Sequence, residues 1–169
     1  MGKNPRDSGR DGPAFLLAQL GAHAAAKFTA RMQAINLTPA LVGVLRFLAR
    51  NPGATQRELA EAIGMPPSRL VAMADELERR GFVHRVRDEQ DRRSHRITLT
   101  AGGEAELAVI GREAREHKSE LLKALSAEEQ NQLAELLQRI AAQQGLPAGV
   151  HPGLSRASSG ERAEPSRRR

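Results

Sequence analysis

Residues 55–82, TQRELAEAIGMPPSRLVAMADELERRGF, contain two short helical patterns on either side of a tight turn. Thr55 and Glu58 have the spacing of a capping box, and Gly64 is suited to end the helix that they begin. The apolar side of this helix is formed by Leu59, Ala60 and Ile63. One residue later a second helix opens. Two short helices around a tight turn are typical of a helix-turn-helix, whose second helix can enter a DNA major groove.

The second helix of the pair opens at Pro66-Pro67-Ser68 and ends at Gly81. Apolar residues near the helical period predict its inner side: Leu70, Val71, Met73, Ala74 and Leu77. At its exposed start, Ser68 and Arg69 can donate hydrogen bonds to phosphates or to base edges. The two prolines are also explained by helix initiation alone.

Two strand-like segments, residues 82–86 and 95–99, follow this helix and are joined by the polar residues 87–94. A β-hairpin directly behind a helix-turn-helix is a wing. Its sequence, RVRDEQDRRSHRITLT over residues 85–100, interleaves arginines with carboxylates. Such mixed charge is consistent with a solvated hairpin as well as with a probe for nucleic acid.

Longer amphipathic patterns lie on both sides of this centre. Before it, one helix is predicted from Pro13 to Asn36, and another begins with Thr38 as N-cap and ends at residues 51–53. After it, Thr100 caps a helix that continues to Ser126.

A capping box at Ser126 begins a last helix, which reaches about Gln144. The two ends of the chain lack an apolar repeat. We therefore expect residues 1–12 to form a disordered N-terminal arm and residues 145–169 a disordered basic tail.

The composition favours one helical domain in a reducing compartment. Of the 169 residues, 40% are hydrophobic but only four are aromatic, all Phe, so the core must use Leu, Ala, Ile and Val. The absence of cysteine excludes disulfides and thiolate catalysis in this chain. No apolar run approaches the roughly 20 residues of a membrane span, and no secretory signal opens the chain. We expect a cytoplasmic protein without a membrane partner.

The charge is unevenly distributed along the chain. Residues 38–100 carry eleven arginines against eight carboxylates, a net +3, whereas residues 101–144 carry five cations against eight carboxylates, a net −3. A basic centre beside an acidic flank suits a molecule with one face toward an anionic polymer.

Five segments together resemble the MarR (multiple-antibiotic-resistance regulator) family: residues 37–39, 55–60, 75–83 and, most specifically, 91–93 with 97–100. The resemblance covers residues 13–144. It implies a mainly α fold with a small β-hairpin wing, a winged helix-turn-helix, with residues 38–100 as the DNA-binding lobe. Residues 13–36 and 101–144 would form a helical dimerisation region. Long terminal helices around a compact centre also need a partner for their apolar faces, and a second copy supplies it.

The resemblance further implies a sequence-specific transcription regulator, a repressor, that binds double-stranded DNA at a palindromic operator as a homodimer. The predicted DNA-binding residues lie on both helices of the helix-turn-helix and on the wing: Arg57, Pro67, Ser68, Arg69, Ala72, Arg85, Arg87, Asp91, Arg92 and Arg93. Arg92 and Arg93 are expected near the hairpin tip, in a minor groove, with Asp91 bracing them. Arg93 is the best single candidate.

Val71 and Ala72 stand where many family members carry polar or basic side chains. They offer contact with thymine methyl groups at most, so we expect thin direct readout and greater reliance on the wing and on DNA shape. Arg46 and Arg50 are candidate phosphate contacts or plain surface charge. Arg79 and Arg80, near a helix C-terminus, more simply complement the helix dipole.

A small-molecule effector, anionic or phenolic, is implied by the family resemblance, with His23, Lys27 and Arg31 as candidate anion partners. His23 and His117 could meet and bind an anion or a metal, but ordinary interface roles are the simpler interpretation. No histidine pair has the i, i+4 spacing of a helical metal site. We expect no metal and no cofactor.

Two other classes of protein are open to this sequence. A winged-helix module for protein or RNA contacts would bind DNA without sequence specificity, aided by the basic tail. An enzyme is not expected, because no phosphate-cradling glycine loop and no nucleophile–base–acid set can be assembled from the motifs.

Overall fold

The computed structural model describes residues 12–87 and 95–146. Along these ranges the elements are α1 (Pro13–Ala34), α2 (Pro39–Arg50), β1 (Ala54–Thr55), α3 (Gln56–Ile63), α4 (Pro67–Arg79), β2 (Val83–Arg87), β3 (His95–Leu99), α5 (Ala101–Leu121) and α6 (Ala127–Gln143). The mainly helical fold with a small sheet behind a helix-turn-helix is confirmed. Residues 1–11 of the predicted terminal arm and the predicted tail beyond Leu146 lie outside the described residues.

Helix starts follow the capping signals in the sequence. The Thr38 hydroxyl accepts from the Leu41 N–H at 3.2 Å, and the Thr100 hydroxyl accepts from the Gly103 N–H at 3.0 Å. Both predicted capping boxes, at Thr55 and Ser126, are complete. Each box satisfies two backbone donors that a helix start would otherwise leave without partners.

The sheet has three antiparallel strands in the order β1-β3-β2, one more than predicted. Val83 is opposite Leu99 in the wing, and the two-residue strand β1 adds to the other edge of β3, with Ala54 opposite Ile97. A strand of two residues has no alternation from which it could be predicted.

The core lies between α2, α3, α4 and the sheet, which together form one lobe. Its largest fully buried side chains include Leu45, Leu48, Leu59, Leu70, Leu77 and Ile97. Met32 of α1 and Ile110 of α5, both fully buried, join the same cluster. Each of the two long helices therefore contributes to this core at least one side chain that water does not reach.

Two helices end earlier than the sequence indicates. The first helix ends at Ala34, because Asn36 adopts a left-handed conformation with φ 57°. The helix from Ala101 was expected to continue to Ser126 but ends at Leu121. Gln130 stabilises this earlier end, since its side-chain amide donates to the carbonyls of Leu122 and Leu125 at 3.3 and 3.1 Å.

Apolar side chains of the two outer helices remain uncovered. On α1 and α6 they are Phe15, Leu16, Leu17, Leu20, Leu136, Leu137 and Ile140, each at least 38% exposed. No residue of α6 is buried. Within the described ranges no single helix is long and apolar enough to cross a membrane; α1 and α2 meet that test only as a pair, bent by 81°.

Candidate nucleic-acid interface

The helix-turn-helix is formed by α3 and α4 around Gly64, which has the left-handed φ of 68° that glycine adopts without strain. The Met65 N–H donates to the Ala60 carbonyl at 3.0 Å and closes the turn. Leu70, Ala74 and Leu77 fasten the inner side of α4 to the core. The opposite side of α4 is consequently free to face a ligand.

The exposed side of α4 has little charge near its start. Ser68, Arg69, Val71 and Ala72 are all exposed, and Arg69 makes no ion pair within the described residues. The assignment of Val71 to the inner side was wrong, since its residue surface is 41% exposed. Steps of 100° per residue place Leu70 and Ala74 inward and turn Val71 to the flank of that side. Its apolar surface therefore lies beside the predicted base-reading residues.

Arg57 lies on α3 with a side chain that is 86% exposed, and its Nε donates to Glu61 at 2.9 Å. This hydrogen bond raises the pKa of Arg57 further above neutrality. An exposed i, i+4 pair contributes little to stability, so the guanidinium can exchange Glu61 for a phosphate.

Arg85 and Arg87 lie two residues apart on β2 but differ in their surroundings. Arg87 is exposed at the end of the strand. Arg85 has a side chain only 20% exposed and forms ion pairs with Asp75 and Glu78 of α4. No local pattern in the sequence distinguishes these two arginines. Asp91, Arg92 and Arg93, with the rest of the hairpin tip, lie outside the described residues.

The arginines near the end of α4 are engaged within the chain. Arg79 and Arg80 both form ion pairs with Glu76, and the Arg80 side chain also donates to the Asn36 carbonyl at 2.5 Å. This last contact links the end of α4 to the turn between α1 and α2. Arg46 and Arg50 are exposed on α2, as a phosphate contact or plain surface charge requires.

Of the residues predicted to hold an effector, Arg31 already has partners. Its guanidinium contacts Glu113 at 3.0 Å, Glu116 at 3.3 Å and Glu120 at 2.6 Å, all on α5. Three carboxylates more than offset its charge, so Arg31 is poorly suited to attract an anion. The side-chain hydrogen bond from Arg31 in turn lowers the pKa of Glu120.

His117 lies against Phe28, with ring centroids 5.7 Å apart. Burial lowers the pKa of His117, and the charges of Arg31, Lys27 and His23 lower it further, against an opposing effect of Glu120. His23 and His117 are therefore near enough to interact electrostatically. No group of three or more His, Asp or Glu side chains suited to a metal ion occurs in residues 12–87 and 95–146.

An open cleft of about 510 Å³ lies where α5 leads into α6, and its lining includes Arg115, Lys118 and Lys123. A second cleft, of about 460 Å³, adjoins β1 and the end of α2. Neither is lined by His23 or Lys27.

Comparisons with known proteins agree on one family. Residues 35–94 match the model of the MarR family. A putative transcriptional regulatory protein for the hcr operon from Thauera aromatica is 33% identical over 115 residues, which cover 68% of this chain and 69% of that protein.

The matches to solved structures of the same fold cover nearly the whole length of those proteins. The transcriptional repressor CouR, bound to a 23-mer DNA duplex, is similar with a TM-score of 0.69 at 32% identity, covering 83% of this chain and 99% of CouR. A probable transcriptional regulator from Pseudomonas aeruginosa gives a TM-score of 0.64 at 30% identity, covering 77% of this chain and 97% of that one. With the helix-turn-helix, the wing strands and these matches in agreement, the chain belongs to the MarR family of DNA-binding transcription regulators.

Proposed function

We propose that this chain acts in the cytoplasm as a homodimer that binds a short palindromic operator and represses transcription by occupying it. The observation that carries the proposal is the exposed start of α4, where Ser68 and Arg69 lie on the outer side of a helix whose other side is fixed in the core. A recognition helix needs this combination of a rigid base and free donors.

On the DNA, α4 occupies the major groove and Arg69 reaches a phosphate or a guanine edge. Arg57 on α3 and Arg87 on β2 contact the DNA backbone on either side of α4, because both side chains are exposed. The wing residues Arg92 and Arg93 enter the minor groove, as the family resemblance implies.

The homodimer is supported by the apolar surface of the outer helices. Leu16 and Leu20 of α1 are 44% and 56% exposed, and Leu136 and Ile140 of α6 are 46% and 44% exposed. Exposed apolar faces of this kind mark an interface. A two-fold axis through them would place the two α4 helices about one DNA turn, roughly 34 Å, apart.

Release of the operator by a small anionic or phenolic effector is part of the proposal. Because Arg31 is already neutralised by glutamates, the attraction of an anion rests on Lys27 and on His23. Both lie on α1, the helix that links the dimer region to the lobe through Met32.

Selection from a randomised duplex library, repeated at several salt concentrations, tests the proposal. The expected result is a palindrome with half-sites about one turn apart. Arg93→Ala should weaken binding to it, while Arg112→Ala, which removes an exposed arginine of α5, should not. If no sequence is enriched and both variants behave like the parent, the winged-helix module for protein or RNA contacts takes the place of the operator-binding regulator.

A further inference from the structure

Arg85 joins the wing to the recognition helix through three separate contacts. Its Nη2 pairs with the Asp75 carboxylate, its Nε lies 3.6 Å from a carboxylate oxygen of Glu78, and its backbone N–H donates to Glu78 at 3.2 Å. Asp75 and Glu78 are three residues apart on α4 and therefore lie on neighbouring turns of one face. One guanidinium thus bridges two successive positions along the helix.

The side chain of Arg85 is withdrawn from water more than its partners are. It is 20% exposed, against 57% for Asp75 and 42% for Glu78. The Arg85 Nε atom is buried and makes no hydrogen bond within the described residues. A guanidinium held in this way has little freedom to turn outward to a phosphate.

The negative charge of the carboxylates would oppose DNA binding, and Arg85 offsets it. Asp75 lies on the exposed side of α4, one turn beyond Val71 and Ala72, where an unpaired negative charge would repel the DNA backbone. Pairing with Arg85 offsets that charge. Because the bridge is anchored on β2, it also fixes how the base of the wing is oriented relative to α4.

We propose that Arg85 is a positioning residue for DNA binding: through Asp75 and Glu78 it sets the angle between wing and recognition helix, and it does not contact phosphate. The inference rests on the proposed function, since the wing and α4 must engage two grooves of the same duplex at once. If the wing or α4 is misaligned, the other element loses its contacts with the DNA.

Salt dependence separates positioning from phosphate contact. Each lost phosphate contact should reduce the slope of log affinity against log salt by about one unit. Arg85→Ala should lower the affinity for the selected operator by about tenfold with that slope unchanged, whereas the matched variant Arg87→Ala, two residues along the same strand, should reduce the slope.

Removal of the partners provides a second readout. In an Asp75→Asn, Glu78→Gln background, Arg85→Ala should have little further effect on affinity, because the bridge is already broken. Arg85→Lys should restore part of the affinity, since an ammonium can pair with one carboxylate but cannot span both. Thermal unfolding of each variant, measured in parallel, reports its stability.

Three results would overturn the inference. If Arg85→Ala reduces the slope of log affinity against log salt as Arg87→Ala does, Arg85 is a phosphate contact. The same conclusion follows if Arg85→Ala causes its full loss of affinity in the Asp75→Asn, Glu78→Gln background. If Arg85→Ala binds DNA like the wild type at temperatures well below its own melting temperature, Arg85 only stabilises the fold. A wild-type chain that selected no operator would instead refute the proposed function, and the inference with it.

Discussion

Gly103, in the first turn of α5, lies directly against the backbone of Phe82: a Cβ at Gly103 would come within 2.1 Å of the Phe82 carbonyl oxygen. The Thr100 hydroxyl, which caps α5, also donates to the Gly81 carbonyl at 2.6 Å. The start of α5 is therefore docked onto the turn between α4 and β2. Through this contact α5 is fixed to the base of the wing.

Gly103→Ala should destabilise the fold by about 1–3 kcal/mol, the usual cost of overpacking, because the obstructing atom is backbone and cannot rotate away. Gly111→Ala, further along the same helix, is the matched control. Its Cβ would meet only the end of the Arg115 side chain at 3.4 Å, so the better helix former should stabilise by about 0.5–1 kcal/mol. Denaturant unfolding measures both, and equal shifts in the two variants would refute the close approach.

Local signals in the sequence were enough to predict most of the secondary structure. The caps at Thr38 and Thr100 and the capping boxes at Thr55 and Ser126 work through atoms at most three residues apart, so the sequence contains the whole interaction. The paired wing strands followed from alternation and from the helix-turn-helix before them.

Contacts between distant parts of the chain could not be predicted in the same way. Arg31 meets Glu113 across 82 positions, and the partners of Arg85 become identifiable only when β2 is placed beside α4. Val71 was assigned to the wrong side of α4 because its neighbours in the sequence are nearly all apolar. The apolar pattern therefore did not determine which of these residues face the core. Whether Arg93 reaches a minor groove stays a prediction.

The uncovered face of α1 leads to a prediction about assembly. Leu20→Glu should convert the proposed dimer to a monomer, since it replaces by a charge a side chain expected to contribute about 1.5–3 kcal/mol on full burial. Sedimentation gives the mass, and circular dichroism reports whether the lobe stays folded. Leu20→Met, which keeps the position apolar, should remain dimeric. A dimeric Leu20→Glu variant would place the interface elsewhere.

The outward position of Val71 predicts that the operator is read in part through thymine methyl groups. Replacing the contacted thymine by uracil removes one methyl, so affinity should fall by about fourfold, the equivalent of about 0.8 kcal/mol. Val71→Ser should bind both duplexes equally, because the apolar partner is gone. Uracil placed at every thymine of the half-site in turn locates the contact. If the wild type tolerates all of these replacements, Val71 reads no methyl group.

The contact between α1 and α5 should weaken in acid, because two of its groups titrate in the same sense. Burial and the nearby charge of Arg31 lower the pKa of His117 below its ordinary 6.5, so the unfolded chain binds the proton first as pH falls. The contribution of neutral His117 to stability is therefore lost as the pH falls below 6.5. The hydrogen bond from Arg31 lowers the pKa of Glu120 below its ordinary 4.5, and this stabilisation is lost at lower pH still.

Unfolding by denaturant at a series of pH values separates the two groups. His117→Gln should remove the part of the decline that begins near pH 6.5 and leave the more acidic part. Glu120→Gln should reduce the decline that begins near pH 4.5 and, because the Glu120 charge opposes the lowering of the His117 pKa, should enlarge the part that begins near pH 6.5. Since Arg31 contributes to both shifts, Arg31→Met should diminish both parts of the decline. An unchanged pH profile in His117→Gln would mean that the histidine is as well hydrated in the folded protein as in the unfolded chain.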